Sequence, residues 1–299
     1  MRSFSLNKHS FSTNELPRLN SRGILRRLPS ASTYLNAPST DLHPWSSRFK
    51  YKRFDISRAF LQISIILPVF NEGKNIAKQI NGIEEKVKNS HEILIIYDFA
   101  EDDTVSVVRK LQKKNKYIKL IRNIFGRGLI NAVKTGFIEA RGEVFVVMPA
   151  DLADDPGTVV KMFNKIEDGF DIVCATRYAK GGKKIGGPIL KTTLSRIAGL
   201  LTPIILGIPT TDIANGFKMY RRNVLKRIKI ESDGGWEFST ELVIKAYHAG
   251  FKIGEVSTTW QDRISGKSKF ELIKWLPKYL RWYLWGFWLN INRLRFNCS

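Results

Sequence analysis

Acidic side chains follow several apolar segments of this 299-residue chain, at the points where those segments end. Asp98 ends one such segment, and Asp151 comes shortly after another. Mg²⁺ and Mn²⁺ prefer oxygen ligands and usually take one or two carboxylates together with substrate phosphates. The pattern therefore predicts a divalent cation holding a diphosphate, with Asp151 as the leading ligand. The alternative is that Asp151, Asp154 and Asp155 cap a helix starting near Pro156, and it is weaker for Asp151, which comes directly after a buried strand.

Two basic positions could hold phosphate. Gly126-Arg127-Gly128 precedes a predicted helix, where glycine lets backbone amides approach an anion and the helix N-terminus favours negative charge. Such a turn is also common without any ligand. Arg177 ends a further apolar segment, and it either neutralises a phosphate or lies on the surface; the sequence leaves both readings open.

The elements that position these residues alternate in type. Short runs rich in β-branched residues predict buried strands, and stretches with helical spacing, roughly 74–89, 103–114 and 127–140, lie between them. This alternation predicts an α/β fold with a doubly wound parallel sheet, in which ligands bind beyond the carboxyl ends of the strands. The apolar stretch 189–206 contains Lys191 and Arg196, which favours one or two surface-packed helices over a membrane span. The predicted strands are Ile63–Phe70, His91–Asp98, Tyr117–Arg122, Glu143–Met148 and Asp171–Ala175.

The net charge of +22, from 49 Lys and Arg against 27 Asp and Glu, predicts attraction to a polyanion. Residues 1–58 carry +8 and residues 272–299 carry +5, so more than half of the excess lies at the two ends. Residues 1–58 are rich in Ser, Arg and Pro and are predicted to be a disordered basic arm, with an organelle transit peptide as the alternative. Cys174 and Cys298 fit no metal spacing, which argues against zinc and against a disulfide framework.

The C-terminal segment is dense in aromatic residues, including four tryptophans at 275, 282, 285 and 288. Its uncharged run Trp282–Asn292 is 11 residues long, well short of the roughly 20 that a bilayer span requires. Tryptophan with flanking Lys and Arg is typical of a helix in the membrane interface, and a core helix packed on the domain is the alternative. Pro277 predicts a break near its start.

A set of motifs occurs in the order seen in glycosyltransferase family 2. The chain resembles in particular the dolichol-phosphate mannose synthase-like polyprenyl-phosphate glycosyltransferases, over about residues 62–285, and Trp260–Phe270 is similar to their R-x-x-G-x-S-K signature. The motifs are Pro68-Val69-Phe70-Asn71-Glu72, Tyr97–Thr104, Gly126-Arg127-Gly128, Ala150-Asp151-Leu152, Thr176-Arg177-Tyr178, Asp212 with Asn215-Gly216-Phe217-Lys218, and Trp236-Glu237-Phe238 with Glu241.

The resemblance implies a GT-A fold, Rossmann-like with a mostly parallel sheet, over residues 59–270, between the arm 1–58 and an amphipathic interfacial helix and tail over 271–299. It also implies roles for individual residues. The nucleotide pocket would be lined by Pro68, Asn71, Glu72 and Asp98, and Gly126 would also contact substrate. The metal would be held by Asp151, and phosphates would be faced by Arg127, Arg177 and Lys218; the catalytic residues would be Asp151, Arg177 and Lys218. The acceptor side would be formed by Arg263, Ser268 and Lys269.

Two departures from the family pattern concern acidic residues. The usual aspartate pair of the second strand is Tyr97-Asp98, and the usual D-x-D triplet is Pro149-Ala150-Asp151, without its first acid. Metal affinity is then either lower, or Asp154 or Asp98 compensates. A single carboxylate with a diphosphate can still hold Mg²⁺.

The resemblance predicts inverting transfer of a hexose, mannose or glucose, from GDP-mannose or UDP-glucose to a polyprenyl (dolichyl or undecaprenyl) phosphate. The expected place is the membrane surface, on the cytoplasmic face. A lipid phosphate is already an anion and needs no general base, whereas a glycan hydroxyl acceptor, as in cell-surface polysaccharide synthesis, would need one, and Asp212 is the candidate. A nucleic-acid partner is not expected, because acids lie at the strand ends.

Overall fold

A computed structural model describes residues 17–19, 25–27, 62–262 and 272–297. The chain divides into two units, 1–43 and 44–299. In the first unit, β1 (Pro17–Leu19) pairs antiparallel with β2 (Leu25–Arg27), inside the arm that was predicted to be disordered. The rest of that arm lies outside the described residues.

The second unit alternates strands and helices, as the apolar pattern predicts. Its strands are β3 (Ile63–Pro68), β4 (His91–Tyr97), β5 (Ile118–Arg122), β6 (Val144–Val147), β7 (Ile172–Thr176), β8 (Lys183–Ile185), β9 (Lys218–Arg221), β10 (Ile253–Ser257) and β11 (Thr259–Gln261). Its helices are α1 (Ile76–Lys86), α2 (Asp103–Gln112), α3 (Leu129–Glu139), α4 (Thr158–Glu167), α5 (Ile189–Leu206), α6 (Arg222–Arg227), α7 (Glu237–His248) and α8 (Leu272–Asn297).

Seven strands form the central sheet in the order β10-β7-β9-β6-β3-β4-β5. All neighbours are parallel except β9, which runs antiparallel to β6 and β7. The two remaining strands, β8 and β11, form a separate parallel pair. The predicted α/β fold is confirmed, with the addition of one antiparallel strand, so the sheet is mixed and mostly parallel.

The core lies on both faces of this sheet. The strand residues of β3, β4 and β6 are almost entirely buried, which is why their sequences are continuous apolar runs. Helix α3 approaches β3 so closely that a Cβ on Gly136 would lie 2.4 Å from Cγ2 of Ile66. A glycine is therefore required at position 136 for this packing.

The order in which the chain adds strands to the sheet reverses between β3 and β6, which are themselves parallel. From β3 the chain winds outward through β4 and β5, and it then returns to place β6 on the other side of β3. In open α/β sheets the ligand binds at such a switch point, beyond the carboxyl ends of the strands. The loops after β3, β4, β6 and β7 meet at this edge.

Helix α5 has one of the two forms that the sequence predicted, whereas α8 differs from its prediction at Pro277. Residues 189–206 form a single helix, and α8 continues through Pro277 without a break. The indoles of Trp282 and Trp285 are buried, and Nε1 of Trp282 donates to Oγ of Ser232 at 2.9 Å. These two tryptophans hold α8 on the domain and do not lie at the surface where the sequence placed them. Among the described helices, none is long and apolar enough to cross a bilayer.

Candidate active site at the carboxyl edge of the sheet

The loop after β3 is fixed to the start of α2 by three successive backbone amides. The N–H of Asn71 donates to Asp102 at 3.0 Å, that of Glu72 to Thr104 at 2.9 Å, and that of Gly73 to Asp103 at 2.8 Å. The buried carboxylate of Asp102 also caps α2 by accepting from the N–H of Thr104. These contacts hold the loop rigidly above the end of β3, where Pro68 is the last strand residue.

Two loop residues at this edge have positive φ. Asn71 has a φ of 55° and Leu152 a φ of 63°, and they are the two non-glycine residues with positive φ in the described part of the chain. Such conformations cost free energy and persist where surrounding contacts impose them, often at functional sites. Leu152 directly follows Asp151, so both strained positions lie beside predicted site residues.

Asp98 holds the glycine turn that follows β5. Its Oδ2 accepts from the N–H of Gly128 at 2.9 Å, and its Oδ1 accepts from Nδ2 of Asn123 at 2.8 Å. Gly126 and Gly128 have φ values of 87° and 123°, which L-residues rarely adopt, so glycine is needed at both positions. The carboxylate of Asp98 thereby orients the turn that presents Arg127.

An aromatic ledge, formed by Phe70 and Phe99, lies next to this turn. The two rings meet edge-on with centroids 5.6 Å apart, and Phe70 is 49% exposed. The guanidinium of Arg127 lies 5.1 Å from the centroid of the Phe99 ring. Neither phenylalanine was assigned a role from the sequence, although each comes close after the end of an apolar run.

The loop after β6 carries three acids in different environments. Oδ1 of Asp151 accepts from the N–H of Ala153 at 3.2 Å. Asp155 is bound by Lys86 at 2.8 Å and by the N–H of Gly157 at 3.0 Å; partial burial opposes ionisation, but these contacts lower the pKa of Asp155. Asp155 thus stabilises the turn before α4, but it does not cap the helix as the alternative predicted, because the N-cap residue is Gly157 and it receives no side-chain cap.

Asp154 does not act as a cap. It is 4% exposed, and its Oδ1 has no hydrogen-bond partner among the described residues. Burial, and then the negative charge of Asp151, raise the pKa of Asp154 to about 8. An unsatisfied buried carboxyl oxygen is costly, and here it lies within electrostatic reach of the predicted metal ligand.

Arg177 at the end of β7 is fixed by Asp212. Its Nε donates to Oδ2 of Asp212 at 2.7 Å and its Nη2 to Oδ1 at 2.8 Å, and the backbone N–H of Arg177 also donates to Oδ2 at 3.1 Å. Burial disfavours the cation, but the carboxylate of Asp212 outweighs it and the pKa of Arg177 is raised. Nη2 further donates to Oγ of Ser195 on α5 at 3.2 Å. This bidentate geometry fixes a permanent positive charge at the edge of the sheet.

Strand β11 connects the loop of Asp151 to Arg177. The N–H of Gln261 donates to the carbonyl of Ala153 at 2.8 Å, and the backbones of Trp260 and Asp154 form a β-bridge. The guanidinium of Arg177 lies 5.9 Å from the centroid of the Trp260 ring. Trp260 therefore joins the two halves of the site. The predicted acceptor-side residues Arg263, Ser268 and Lys269 come after this strand and lie outside the described residues.

Lys218 occupies a different place from the one predicted. Its ammonium is fully buried and donates to the carbonyl oxygens of Ile213, at 2.9 Å, and Asn215, and to Oγ of Ser239. Burial lowers the pKa of Lys218. The side chain supports the loop that carries Asp212 and does not face a phosphate, because its ammonium is enclosed by that loop and by Ser239 of α7.

The predicted residues thus form two groups at one edge of the sheet. Asn71, Glu72, Asp98 and Arg127 gather around the ends of β3 and β4, and Asp151, Arg177 and Asp212 gather around the ends of β6 and β7. Among the described residues, no cluster of three or more His, Cys, Asp or Glu side chains could hold a metal ion without help. A cation here would depend on oxygen ligands from a bound diphosphate.

Known proteins are similar to this chain in sequence and in fold. The family model described as glycosyl transferase family 2 matches residues 64–229. A dolichol-phosphate mannosyltransferase of Pyrococcus furiosus is 30% identical over 233 residues, which are 74% of this chain and 64% of that protein. A polyprenol monophosphomannose synthase of Mycolicibacterium smegmatis is 26% identical, over 77% of this chain and 89% of that protein.

Solved structures agree on the fold. Glucosyl-3-phosphoglycerate synthase from Mycobacterium tuberculosis, crystallised with Mn²⁺, UDP-glucose and phosphoglyceric acid, superposes with a TM-score of 0.57 at 17% identity, over 75% of this chain and 79% of that one. The predicted GT-A architecture is confirmed by this likeness. The family model covers more than half of the chain, and with it the loops of both residue groups. The chain belongs to glycosyltransferase family 2.

Proposed function

We propose that this chain is an inverting glycosyltransferase that transfers a hexose, with mannose preferred, from a nucleotide-diphosphate sugar to a polyprenyl phosphate. The observation that carries the proposal is the buried guanidinium of Arg177, which Asp212 holds in place. Both this guanidinium and Asp151 interact electrostatically with the buried carboxyl of Asp154, so the cation and the predicted metal ligand belong to one site. A fixed cation beside a carboxylate suits a reaction between two phosphate-bearing substrates. The names of the archaeal and mycobacterial relatives support mannose and the lipid class.

The donor lies along the ends of β3 and β4. Asn71, Glu72 and Asp98 line this edge together with Pro68, and the aromatic ledge beside them offers a flat apolar surface to a nucleobase. Arg127 and the amides of the glycine turn lie at the start of α3, where the helix N-terminus favours an anion. We therefore place the nucleotide here, with its diphosphate directed towards Asp151.

A divalent cation, Mg²⁺ or Mn²⁺, would be held by Asp151 together with oxygen atoms of the donor diphosphate. The residues present fit such an ion, because the unpartnered Oδ1 of Asp154 offers a second carboxylate oxygen in place of the missing first acid of the triplet. When bound, the cation would neutralise charge on the leaving nucleoside diphosphate. Asp98 does not compensate for the missing acid, since both of its oxygens accept hydrogen bonds from the glycine turn and Asn123.

The acceptor phosphate is placed at Arg177. One of its oxygens attacks the anomeric carbon as the bond to the donor diphosphate breaks on the opposite face, which inverts the configuration. Asp212 is buried, and both of its oxygens accept from the guanidinium of Arg177, so it is poorly placed to take a proton from a sugar hydroxyl. This arrangement favours a phosphate acceptor, which needs no base, over the alternative glycan acceptor.

A polyprenyl phosphate resides in a bilayer, so we expect the enzyme at the membrane surface. The names of the two relatives support this expectation through their lipid substrates. The cytoplasmic face stays a prediction.

An assay of the purified chain tests the proposal. The protein is given GDP-mannose, UDP-glucose or related donors, each with a short-chain polyprenyl phosphate in detergent, with and without EDTA. We expect transfer from GDP-mannose that EDTA abolishes and Mg²⁺ or Mn²⁺ restores. Transfer only to a glycan hydroxyl, or no transfer from any donor, would contradict the proposal.

Asp151→Asn is the matching variant. It keeps the size of the side chain but removes the charge that holds the cation, so we expect a loss of about 100-fold or more in kcat with an unchanged circular dichroism spectrum. The control is Asp155→Asn in the same loop, because Asp155 is bound by Lys86 and Gly157, and it should change kcat by less than about twofold. Full activity of Asp151→Asn would refute the assignment.

A further inference from the structure

Most of the exposed apolar surface belongs to two helices. Of the 17 large apolar side chains that are exposed in the described part of the chain, 13 lie on α5 and α8. On α8 they recur every three or four residues, which places them on one face of the helix. We call these 13 residues the α5–α8 face: Ile189, Leu190, Leu194, Ile197, Leu200, Leu201, Ile204, Ile205, Leu276, Leu280, Leu284, Phe287 and Ile291, with exposures between 36% and 84%.

The two helices lie side by side. The hydroxyl of Tyr283 on α8 contacts that of Thr202 on α5 at 2.9 Å, and Nδ2 of Asn290 donates to the carbonyl of Ile205 at 3.1 Å. Their apolar side chains therefore form one continuous patch and not two separate stripes. Single exposed apolar residues are ordinary, whereas contiguous patches of this kind mark an interaction surface.

The aromatic side of helix α8 packs against the domain. Trp282 and Trp285 are buried, and Gly286 lies where an added Cβ would meet Ile244 of α7 at 2.9 Å. The leucines at 276, 280 and 284 lie on the opposite side and remain exposed. The fold thus fixes which side of α8 faces outward, and it is the aliphatic side.

The charge of the two helices indicates what covers this face. Residues 189–206 and 272–297 contain seven Lys and Arg and no Asp or Glu. A second copy of the chain would bring the same excess of positive charge against it and be repelled. An apolar face on cationic helices is complementary to an anionic lipid bilayer.

We propose that the α5–α8 face docks on the surface of an anionic bilayer, with its aliphatic side chains in the boundary between headgroups and acyl chains. The proposal deepens the proposed function and rests on it for the identity of the acceptor. Helix α5 connects the face to the site, because Ser195 on α5 accepts a hydrogen bond from Arg177. Docking by α5 therefore places the guanidinium that we assign to the acceptor phosphate within one helix diameter, ~10 Å, of the bilayer surface.

Sedimentation with vesicles that contain no polyprenyl phosphate tests the docking alone. Full-length protein is mixed with vesicles of phosphatidylcholine, with and without phosphatidylglycerol. Leu284→Asp on α8 and Ile197→Asp on α5 each place a carboxylate in the face, and we expect the partition coefficient on anionic vesicles to fall about tenfold or more. The control is Tyr117→Asp, an equally large change of charge at an exposed residue before β5, which should bind as the wild type does.

The fold and the chemistry are measured separately. Thermal unfolding and transfer to a short-chain acceptor in detergent should be within about twofold of wild type for all three variants, and the milder Leu284→Ser replaces any variant that fails to fold. The proposal is overturned if the wild type does not bind anionic vesicles, if both face variants bind as it does, or if the wild type forms a lipid-free dimer that Leu284→Asp dissociates. If vesicle binding follows the prediction while no donor supports transfer, the proposed function fails and the docking face stands.

Discussion

The site depends on one residue pair, Arg177 and Asp212, whose atoms meet in a forked arrangement. Lysine at position 177 would keep the positive charge but would lose the two parallel hydrogen bonds to Asp212 and the contact with the Trp260 ring. We expect Arg177→Lys to lower kcat/KM for the polyprenyl phosphate by about 10- to 100-fold. Steady-state kinetics with varied acceptor measures this effect.

The control for that substitution is Arg109→Lys on the exposed surface of α2. It makes the same chemical change outside the site, and kcat/KM should stay within about twofold of wild type. Equal activity of Arg177→Lys and wild type would mean that a single positive charge suffices at this position and that the fork has no role.

The buried carboxyl of Asp154 should make the stability of the metal-free protein depend on pH. Its pKa is raised from 3.8 to about 8 by burial and by Asp151, so the folded chain holds this proton between about pH 4 and 8 while the unfolded chain releases it. The stabilisation that this proton gives the folded state is therefore complete below pH 4. As the pH rises from about 4 to 8, the free energy of unfolding falls by up to about 1.4 kcal/mol per pH unit, and the stabilisation is lost.

Urea unfolding in EDTA at several pH values measures this contribution. Asp154→Asn cannot ionise, so the free energy of unfolding of the variant should fall less steeply than that of wild type over this range. The two curves should run parallel above pH 8, where Asp154 is ionised in both states of the wild type. Identical slopes from pH 4 to 8 would contradict the raised pKa.

For individual residues, the sequence predicted positions at the site better than it predicted roles. Asp98, Asp151 and Arg177 follow strands, and the topology of a parallel sheet brings such residues to one edge. Lys218 was misjudged, because its inward direction depends on the antiparallel β9, which the apolar pattern did not reveal. Ser195 and Trp260 were not assigned because their contacts to Arg177 join segments distant in sequence, which no local pattern encodes.

Among the elements, helix α8 combines a buried aromatic side and an exposed aliphatic side, and the two should respond differently to truncation. Trp282 is 1% exposed and its indole donates to Ser232, so Trp282→Ala leaves a cavity and an unpaired hydroxyl. We expect it to lower the free energy of unfolding by about 3 to 5 kcal/mol. Denaturant unfolding followed by fluorescence and circular dichroism gives the value.

The matched control on the same helix is Leu284→Ala, at an exposed position where the change should be within about 0.5 kcal/mol. A small effect of both variants would mean that α8 is only loosely attached. The same packing implies that deleting 272–299 would expose part of the core, so such a deletion would report on folding as much as on membrane attachment.

The strands and helices that could be predicted from the sequence are those whose burial leaves a clear apolar pattern. The five predicted strands are present because strands buried on both faces are continuous apolar runs, a pattern that chain chemistry alone reveals. The strands β9 and β10 are no shorter than β6, but they were missed because their sequences mix polar and apolar residues. The tryptophans of α8 were placed at the surface because the sequence cannot tell an aromatic residue that packs on its own domain from one that meets lipid.

For the molecule as a whole, the charge of +22 has several separate components. One portion belongs to α5 and α8, the helices that carry the exposed apolar face, and another includes Arg127 and Arg177 at the ends of the strands. The portion in residues 1–43 belongs to a different unit from the glycosyltransferase fold. Removing one of these groups of charges should therefore change some properties, such as vesicle binding, and leave others, such as transfer activity, unchanged.

Removing residues 1–43 would separate them. Every buried apolar side chain that the structure describes lies between residues 63 and 289, so the shortened chain should unfold at the same urea concentration and keep its transfer activity within about twofold. The deletion removes six Lys and Arg and two acids, which weakens attraction to anionic vesicles at low salt. At physiological salt the Debye length is about 8 Å, so the long-range attraction lost with these charges is largely screened, and binding through the α5–α8 face should persist. Vesicle sedimentation of both proteins at the two salt concentrations checks this, and loss of binding at both, with the fold intact, would assign membrane attachment to the N-terminal unit.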